Sequence, residues 1–147
     1  MLVDSHCHLD FPDFQEDLDD IVQRARDVGI VRMVTICTRV RKFDQVLNIA
    51  NKYDDVFCSV GTHPHNSHEE LDVSADELIT LSNDPKVVAI GEAGLDYFYQ
   101  KEHAGAQAQS LRVHIEAARK TGLPLVIHSR DADEDMANIL EDEMKKG

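Results

Sequence analysis

The segment at residues 3–10, VDSHCHLD, constrains the fold and chemistry of this chain more than any other. It opens with an apolar run that predicts a β-strand, and it closes with His6 and His8 two positions apart. Because side chains alternate between the faces of a strand, both histidines should point one way and Cys7 the other. Two imidazoles on one face can hold a divalent metal ion, although two solvated histidines would give the same pattern.

Composition predicts one globular domain and excludes several functions. The chain has 147 residues, of which 42% are hydrophobic, and this is enough to build a core at that length. It contains no apolar run long enough to span a membrane, and its N-terminus does not have the pattern of a signal peptide. The net charge of −13 argues against broad electrostatic adhesion to nucleic acid or an anionic membrane, but not against a phosphate-bearing substrate held through metal ions.

The three cysteines lie in apolar, strand-like segments, and an odd number does not form a complete disulfide framework. Buried free thiols in a reducing compartment are the simpler interpretation, so we expect a cytoplasmic protein.

Apolar strands alternate with amphipathic helices five times along the chain. The predicted strands are the opening segment and residues 31–37, 56–61, 87–92 and 125–128. The predicted helices are residues 15–28, 43–53, 75–81, 107–120 and 131–145. This order predicts a parallel sheet covered by helices, either an open doubly wound sheet or part of a (β/α)8 barrel. The first strand is not followed by a glycine-rich phosphate loop, which weakens the dinucleotide-binding version of the open sheet.

Side chains typical of metal ligands end four of the predicted strands. They are His6 and His8, His63 and His65, Glu92, and His128. Barrel enzymes assemble their active sites at the carboxyl ends of their strands, so this distribution favours an α/β fold that is a partial (β/α)8 barrel of about five units. Imidazole and carboxylate groups suit zinc, manganese or magnesium. With two oxygens, Glu92 can bridge two ions, one completed by His6 and His8 and the other shared with His128.

Other polar and aromatic residues have two interpretations each. Arg130 can clamp a phosphate group in a bidentate manner, or it can pair with Asp131 or Asp133 at the surface. Tyr97 can stack on a base or pack against its own protein. His114 shares a helix face with apolar residues, so we expect it in the core.

Four motifs together resemble the TatD family of metal-dependent deoxyribonucleases, within the amidohydrolase-like barrel superfamily. They are VDSHCHLD, SVGTHPH, AIGEAGLDY and PLVIHSRDA, and they span nearly the whole chain. The resemblance implies a (β/α)8 barrel, two divalent metal ions (zinc, magnesium or manganese) and hydrolysis of phosphodiester bonds in DNA. The implied metal ligands are His6, His8, Glu92 and His128, with Glu92 catalytic, and the implied substrate-side residues are His63, His65 and Arg130.

Length separates this chain from the family that it resembles. Such barrels run to about 250 residues, and we interpret residues 1–147 as the N-terminal portion of a single barrel domain, truncated before strands six to eight. In the family, the sixth strand ends in a further metal-binding histidine and the eighth carries an aspartate ligand. We therefore expect at most one tightly bound ion per chain, weakened DNA cleavage, and self-association through open sheet edges.

Two other functions compete with that of a phosphodiesterase. One is a barrel hydrolase acting on C–N bonds, many of which use a carbamylated lysine at the end of strand four. Here that position is Glu92, and the only lysine of the strand, Lys86, precedes it. The other is an inactive fragment that only binds metal or a partner.

Overall fold

The computed structural model describes residues 1–146, in which five parallel strands alternate with five α-helices. The strands are β1 (Leu2–Cys7), β2 (Ile30–Thr35), β3 (Val56–Val60), β4 (Val87–Asp96) and β5 (Leu125–Arg130). The helices are α1 (Leu18–Asp27), α2 (Phe43–Lys52), α3 (Ala75–Leu81), α4 (Ala104–Thr121) and α5 (Asp133–Met144). The order of strands in the sheet is the order in the chain, so the sheet curls in one direction into a half-barrel. This confirms the partial barrel, since an open doubly wound sheet reverses its strand order.

Two strands run further than the sequence predicts. β4 continues to Asp96, four positions beyond its predicted end at Glu92, and β5 continues to Arg130. The two strands pair along this extension, where Leu95 lies beside Ser129 and Asp96 beside Arg130. The extension moves the start of the last helix to Asp133.

Apolar packing forms two clusters on the outer side of the sheet. The larger lies under α1, α2 and α3, and the smaller lies between β4, β5, α4 and α5. His114, on α4, belongs to the core as predicted: its Nδ1 donates to the Ser110 carbonyl (2.7 Å), and its Nε2 accepts from the Thr62 N–H (2.9 Å). Burial lowers the pKa of His114 to about 4, so the ring is neutral and both nitrogens serve structure.

All three cysteines are free thiols, as composition predicted. Burial raises the pKa of Cys7, Cys37 and Cys58 to about 12 in each case, so these thiols stay protonated at neutral pH. None of the helices within residues 1–146 is both long enough and apolar enough to cross a membrane.

The outer strands of the described sheet carry exposed apolar side chains. On β1, Leu2 and Val3 are each 60% exposed, and on β5, Ile127 is 42% exposed. The sequence predicted the apolar run of β1 correctly as a strand. Self-association through these edges stays a prediction.

Glycines draw three strands together where the histidines and carboxylates are placed. A Cβ atom on Gly61 would lie 2.5 Å from the Cα of Gly91 on the neighbouring strand. A Cβ atom on Gly94 would lie 1.8 Å from the carbonyl oxygen of His128, its partner in the β4–β5 register. Any larger residue would push these strands apart, so the close spacing of the site depends on these positions.

We expect Gly94→Ala to lower the free energy of unfolding by about 1–3 kcal/mol, because the methyl group must displace β5 at His128. Denaturant unfolding measures this cost. Gly105→Ala is the matched control: Gly105 lies in α4 with no atom within 4 Å of the added carbon, so it should be neutral or stabilising by up to about 1 kcal/mol. Equal midpoints for the two variants would contradict the close approach.

Candidate metal centre

The two histidines of the first strand face one carboxylate. The rings of His6 and His8 are 5.2 Å apart, and their Nε2 atoms lie 3.4 Å and 3.9 Å from Oε2 of Glu92. Cys7, between them, points the other way and packs against the core. The structure therefore places both histidines on one face, as the strand periodicity predicted.

The second ring nitrogen of His8 is fixed by the backbone. Its Nδ1 lies 3.1 Å from the carbonyl oxygen of Ile36, which can only accept a hydrogen bond, so Nδ1 carries the proton. The lone pair of His8 then sits on Nε2, directed towards Glu92. Phe11 stacks on the imidazole at 4.6 Å and holds the plane of the ring. A hydrogen bond from the distal nitrogen is the usual way in which proteins orient a metal-binding histidine.

Glu92 is a buried carboxylate surrounded by imidazole rings. It is 6% exposed, and Nδ1 of His128 lies 3.4 Å from its Oε1, on the side opposite to His6 and His8. Among residues 1–146, only these histidines bring a basic side chain within 4.0 Å of it. Burying a carboxylate without a cation is costly, so the donor set fits one or more divalent ions.

His128 presents one nitrogen to Glu92 and anchors the other. Its Nε2 donates to Oδ2 of Asp96 over 3.0 Å, which leaves the lone pair on Nδ1, the nitrogen that lies 3.4 Å from Oε1 of Glu92. Burial alone would raise the pKa of Asp96, but hydrogen bonds from the Tyr99 N–H and from the His65 and His128 rings lower it to about 2. Asp96 is therefore charged at neutral pH and orients His128 as a carboxylate partner orients a ligand.

Asp96 is the main residue that the sequence analysis missed. Its Oδ2 also accepts from Nε2 of His65 (2.7 Å), and its Oδ1 accepts from the backbone N–H groups of Phe98 and Tyr99 (3.1 Å each). The available signal was its position four residues after Glu92, which places both on one face of a continuous strand.

His63 lies beside Glu92 and His128, but the ring nitrogen that faces His128 carries a proton and therefore cannot bind a metal ion. The ligand atoms of His63, Glu92 and His128 lie within 4.8 Å of one another. However, Nδ1 of His63 accepts from the N–H of His65 (3.1 Å), so the neutral ring carries its proton on Nε2, 3.3 Å from Nδ1 of His128. Burial, assisted by the neighbouring His128 and His65, lowers the pKa of His63 to about 3 and keeps the ring neutral. His63 is thus a hydrogen-bond donor into the site.

Five of the seven predicted site residues line one cavity of about 400 Å³. The cavity is lined by His8, Phe11, Thr38, His63, His65, Asn66, Glu92 and His128. The other two are His6, which contacts Glu92 from outside the lining, and Arg130. The guanidinium group of Arg130 lies over the rings of Phe98 and Tyr99 at 4.0 Å and 4.7 Å, and Tyr99 is in turn 5.6 Å from His65 of the lining. Tyr97 packs in the smaller core cluster and donates to Asp135 (2.7 Å), so it does not offer a free ring.

Comparison with known proteins identifies relatives over almost all of the chain. An uncharacterized metal-dependent hydrolase of Buchnera aphidicola is 34% identical over 97% of this chain and 57% of its own length. The 3'-5' ssDNA/RNA exonuclease TatD of Salmonella typhimurium is 32% identical over 95% of this chain and 54% of its own length. This chain thus spans about half the length of the curated relatives that it matches.

A solved structure and a family model agree with these relatives. The crystal structure of YjjV, a TatD homolog from Escherichia coli, superimposes with a TM-score of 0.88 at 32% identity, covering 97% of this chain and 56% of that one. The model described as TatD related DNase matches residues 3–147. On this match, and on the metal-dependent hydrolases among its relatives, the chain belongs to the TatD related DNase family.

Proposed function

We propose that this protein hydrolyses phosphodiester bonds of DNA with divalent metal ions held around Glu92. The observation that carries the proposal is the position of this buried carboxylate between two sets of imidazoles. Its relatives include metal-dependent hydrolases, and the name of one of them gives single-stranded DNA and RNA as substrates.

The ligand atoms divide into one complete and one incomplete set. Nε2 of His6, Nε2 of His8 and one oxygen of Glu92 would hold the first ion, which meets the minimum of three protein ligands. The other oxygen of Glu92 and Nδ1 of His128 would contribute to a second. Imidazole-rich sets suit zinc or manganese better than magnesium. When bound, such ions lower the pKa of water and offset charge that develops on a phosphoryl oxygen.

The surrounding residues supply hydrogen bonds and orientation. His63, neutral and protonated on Nε2, donates to Nδ1 of His128. With a metal ion on that nitrogen of His128, the same N–H would be free to donate to a phosphate oxygen that enters the cavity. His65 has its Nε2 committed to Asp96, so it supports the site by fixing that carboxylate. Glu92, on β4, would hold the ions between the two sets of imidazoles.

A C–N bond hydrolase is less consistent with the described residues. Lys86, the only lysine of the predicted strand, lies at the amino end of β4, where its Nζ donates to the carbonyl groups of Tyr53 (2.8 Å) and Val56 (3.0 Å). Glu92 lies in the carboxyl half of β4, at the position where such enzymes place a carbamylated lysine. The carboxylate therefore favours the phosphodiesterase.

We expect Glu92→Gln in the intact protein to reduce hydrolysis by more than about 100-fold, because a charge that positions the cations is removed. The reaction rate and the metal content are measured on the same preparation. Glu134→Gln is the matched control, since Glu134 is exposed on α5. Wild-type turnover in Glu92→Gln with unchanged metal content would contradict the assigned role.

Asp96→Asn should weaken metal binding by about 10–100-fold, because the amide no longer holds His128 with a charge. Calorimetric titration with Mn²⁺ measures this affinity. Asp131→Asn removes a similar charge nearby from an exposed position with a positive φ, which asparagine tolerates. Equal affinities in the two variants would show that Asp96 does not support the centre.

Metal depletion tests the class of reaction. Protein treated with a chelator should not cleave single-stranded DNA, and added Mn²⁺ or Zn²⁺ should restore cleavage. Metal-dependent hydrolysis of a cyclic amide without cleavage of DNA would favour the C–N hydrolase. Tight metal binding without hydrolysis of either would leave a metal-binding protein that is not an enzyme.

A further inference from the structure

Two exposed aromatic rings and an arginine lie beside the candidate metal centre, and the two rings are not packed into the core. We propose that Phe98, Tyr99 and Arg130, here called the aromatic platform, bind an unpaired nucleobase and its phosphate in single-stranded nucleic acid. This inference rests on the proposed function, and it names the part of the substrate that the protein recognises.

The rings are unusually exposed for their size. Phe98 is 55% exposed and Tyr99 is 59% exposed, and they contact each other edge to face at 4.5 Å. Their neighbour Tyr97 shows the contrast, because it is packed and hydrogen-bonded to Asp135. Adjacent large rings that remain in water next to a catalytic cavity mark a binding surface.

Arg130 completes the platform as a cation held by the rings. Its guanidinium group lies 4.0 Å from the centre of the Phe98 ring and 4.7 Å from that of Tyr99. Within residues 1–146 it does not form an ion pair with Asp131 or Asp133, the alternative that the sequence left open. Stacking fixes the plane of a guanidinium while its N–H edge stays free for phosphate oxygens.

The platform is tied to the metal centre through Asp96. The ring of Tyr99 is 5.6 Å from that of His65, which is in turn 6.1 Å from that of His128. One oxygen of Asp96 accepts the N–H groups of Phe98 and Tyr99, and the other accepts the two histidines. A base on the rings would therefore lie at a fixed distance from a phosphodiester at the metal ligands.

Single-stranded nucleic acid fits these features better than a duplex. Bases in a duplex stack on each other, so only an unpaired base offers its face to an aromatic side chain. With a net charge of −13, the protein does not attract a long polyanion through its overall field. Local contacts must supply affinity, and stacking tolerates every base because each has a π face.

A binding experiment tests the platform apart from catalysis. Metal-free protein is titrated into a single-stranded oligonucleotide that carries 2-aminopurine near its end, whose fluorescence falls when the base stacks. We expect quenching with the wild type and a dissociation constant raised about tenfold in the double variant Phe98→Ala, Tyr99→Ala. Phe57→Leu is the control, since Phe57 forms a similar cation–ring contact with Lys86 remote from the cavity.

A substrate comparison separates recognition from chemistry. With metal added, kcat/KM of the double variant should fall about tenfold more for the oligonucleotide than for bis(p-nitrophenyl) phosphate, which has no nucleobase. An abasic nucleotide at the stacking position should reduce the effect of the variant to that seen with the small ester.

The outcomes distinguish the two proposals. Equal losses on both substrates, or quenching that survives in the double variant, would overturn the platform while leaving the hydrolase intact. If the wild type cleaves neither substrate, the proposed function fails, and the quenching result still decides the platform. Absence of quenching with the wild type would overturn the aromatic platform as a nucleobase site, and a protein ligand would then be the better candidate to bind these rings.

Discussion

Burying a carboxylate costs free energy unless a cation lies beside it, and the candidate metal centre around Glu92 depends on this constraint. Glu92 is 6% exposed, and its near neighbours are ring nitrogens of His6, His8 and His128. Two of these rings have their remote nitrogen fixed, His8 by a backbone carbonyl and His128 by Asp96. The lone pair that remains on His8 lies on the side of one oxygen of Glu92, and that of His128 lies on the side of the other. This donor arrangement suits divalent ions held on either side of the carboxylate.

The order of the strands and three glycines bring the histidines and carboxylates of the site together. Sequential parallel strands bring their carboxyl ends to one rim, and Gly61, Gly91 and Gly94 let the backbones of β3, β4 and β5 approach closely there. Asp96 then connects His128, a candidate metal ligand, to the loop that carries Phe98 and Tyr99. One carboxylate thus positions both the ligand and the aromatic platform.

Hydrophobic periodicity predicted all five strands and helices, and the spacing of His6 and His8 predicted their common face. The sequence could not show that β4 reaches Asp96, because Ala93 and Gly94 after Glu92 interrupt the apolar pattern. For that reason Asp96 was missed. The sequence also could not show which of the aromatic residues Tyr97, Phe98 and Tyr99 would be exposed. That depends on packing against α5, which contacts Tyr97. Which nitrogen of His63 carries the proton depends on a hydrogen bond from the backbone N–H of His65, and no residue pattern predicts that bond.

Pulsed electron paramagnetic resonance of Mn²⁺ bound to this chain tests the central claim most directly, because it detects nitrogen nuclei coupled to the ion. The account predicts one tightly bound ion per chain with coupling to two imidazoles, one of which disappears in His6→Ala and one in His8→Ala. Bound Mn²⁺ without nitrogen coupling, or with coupling unchanged in both variants, would contradict the assignment of His6, His8 and Glu92 as the metal centre.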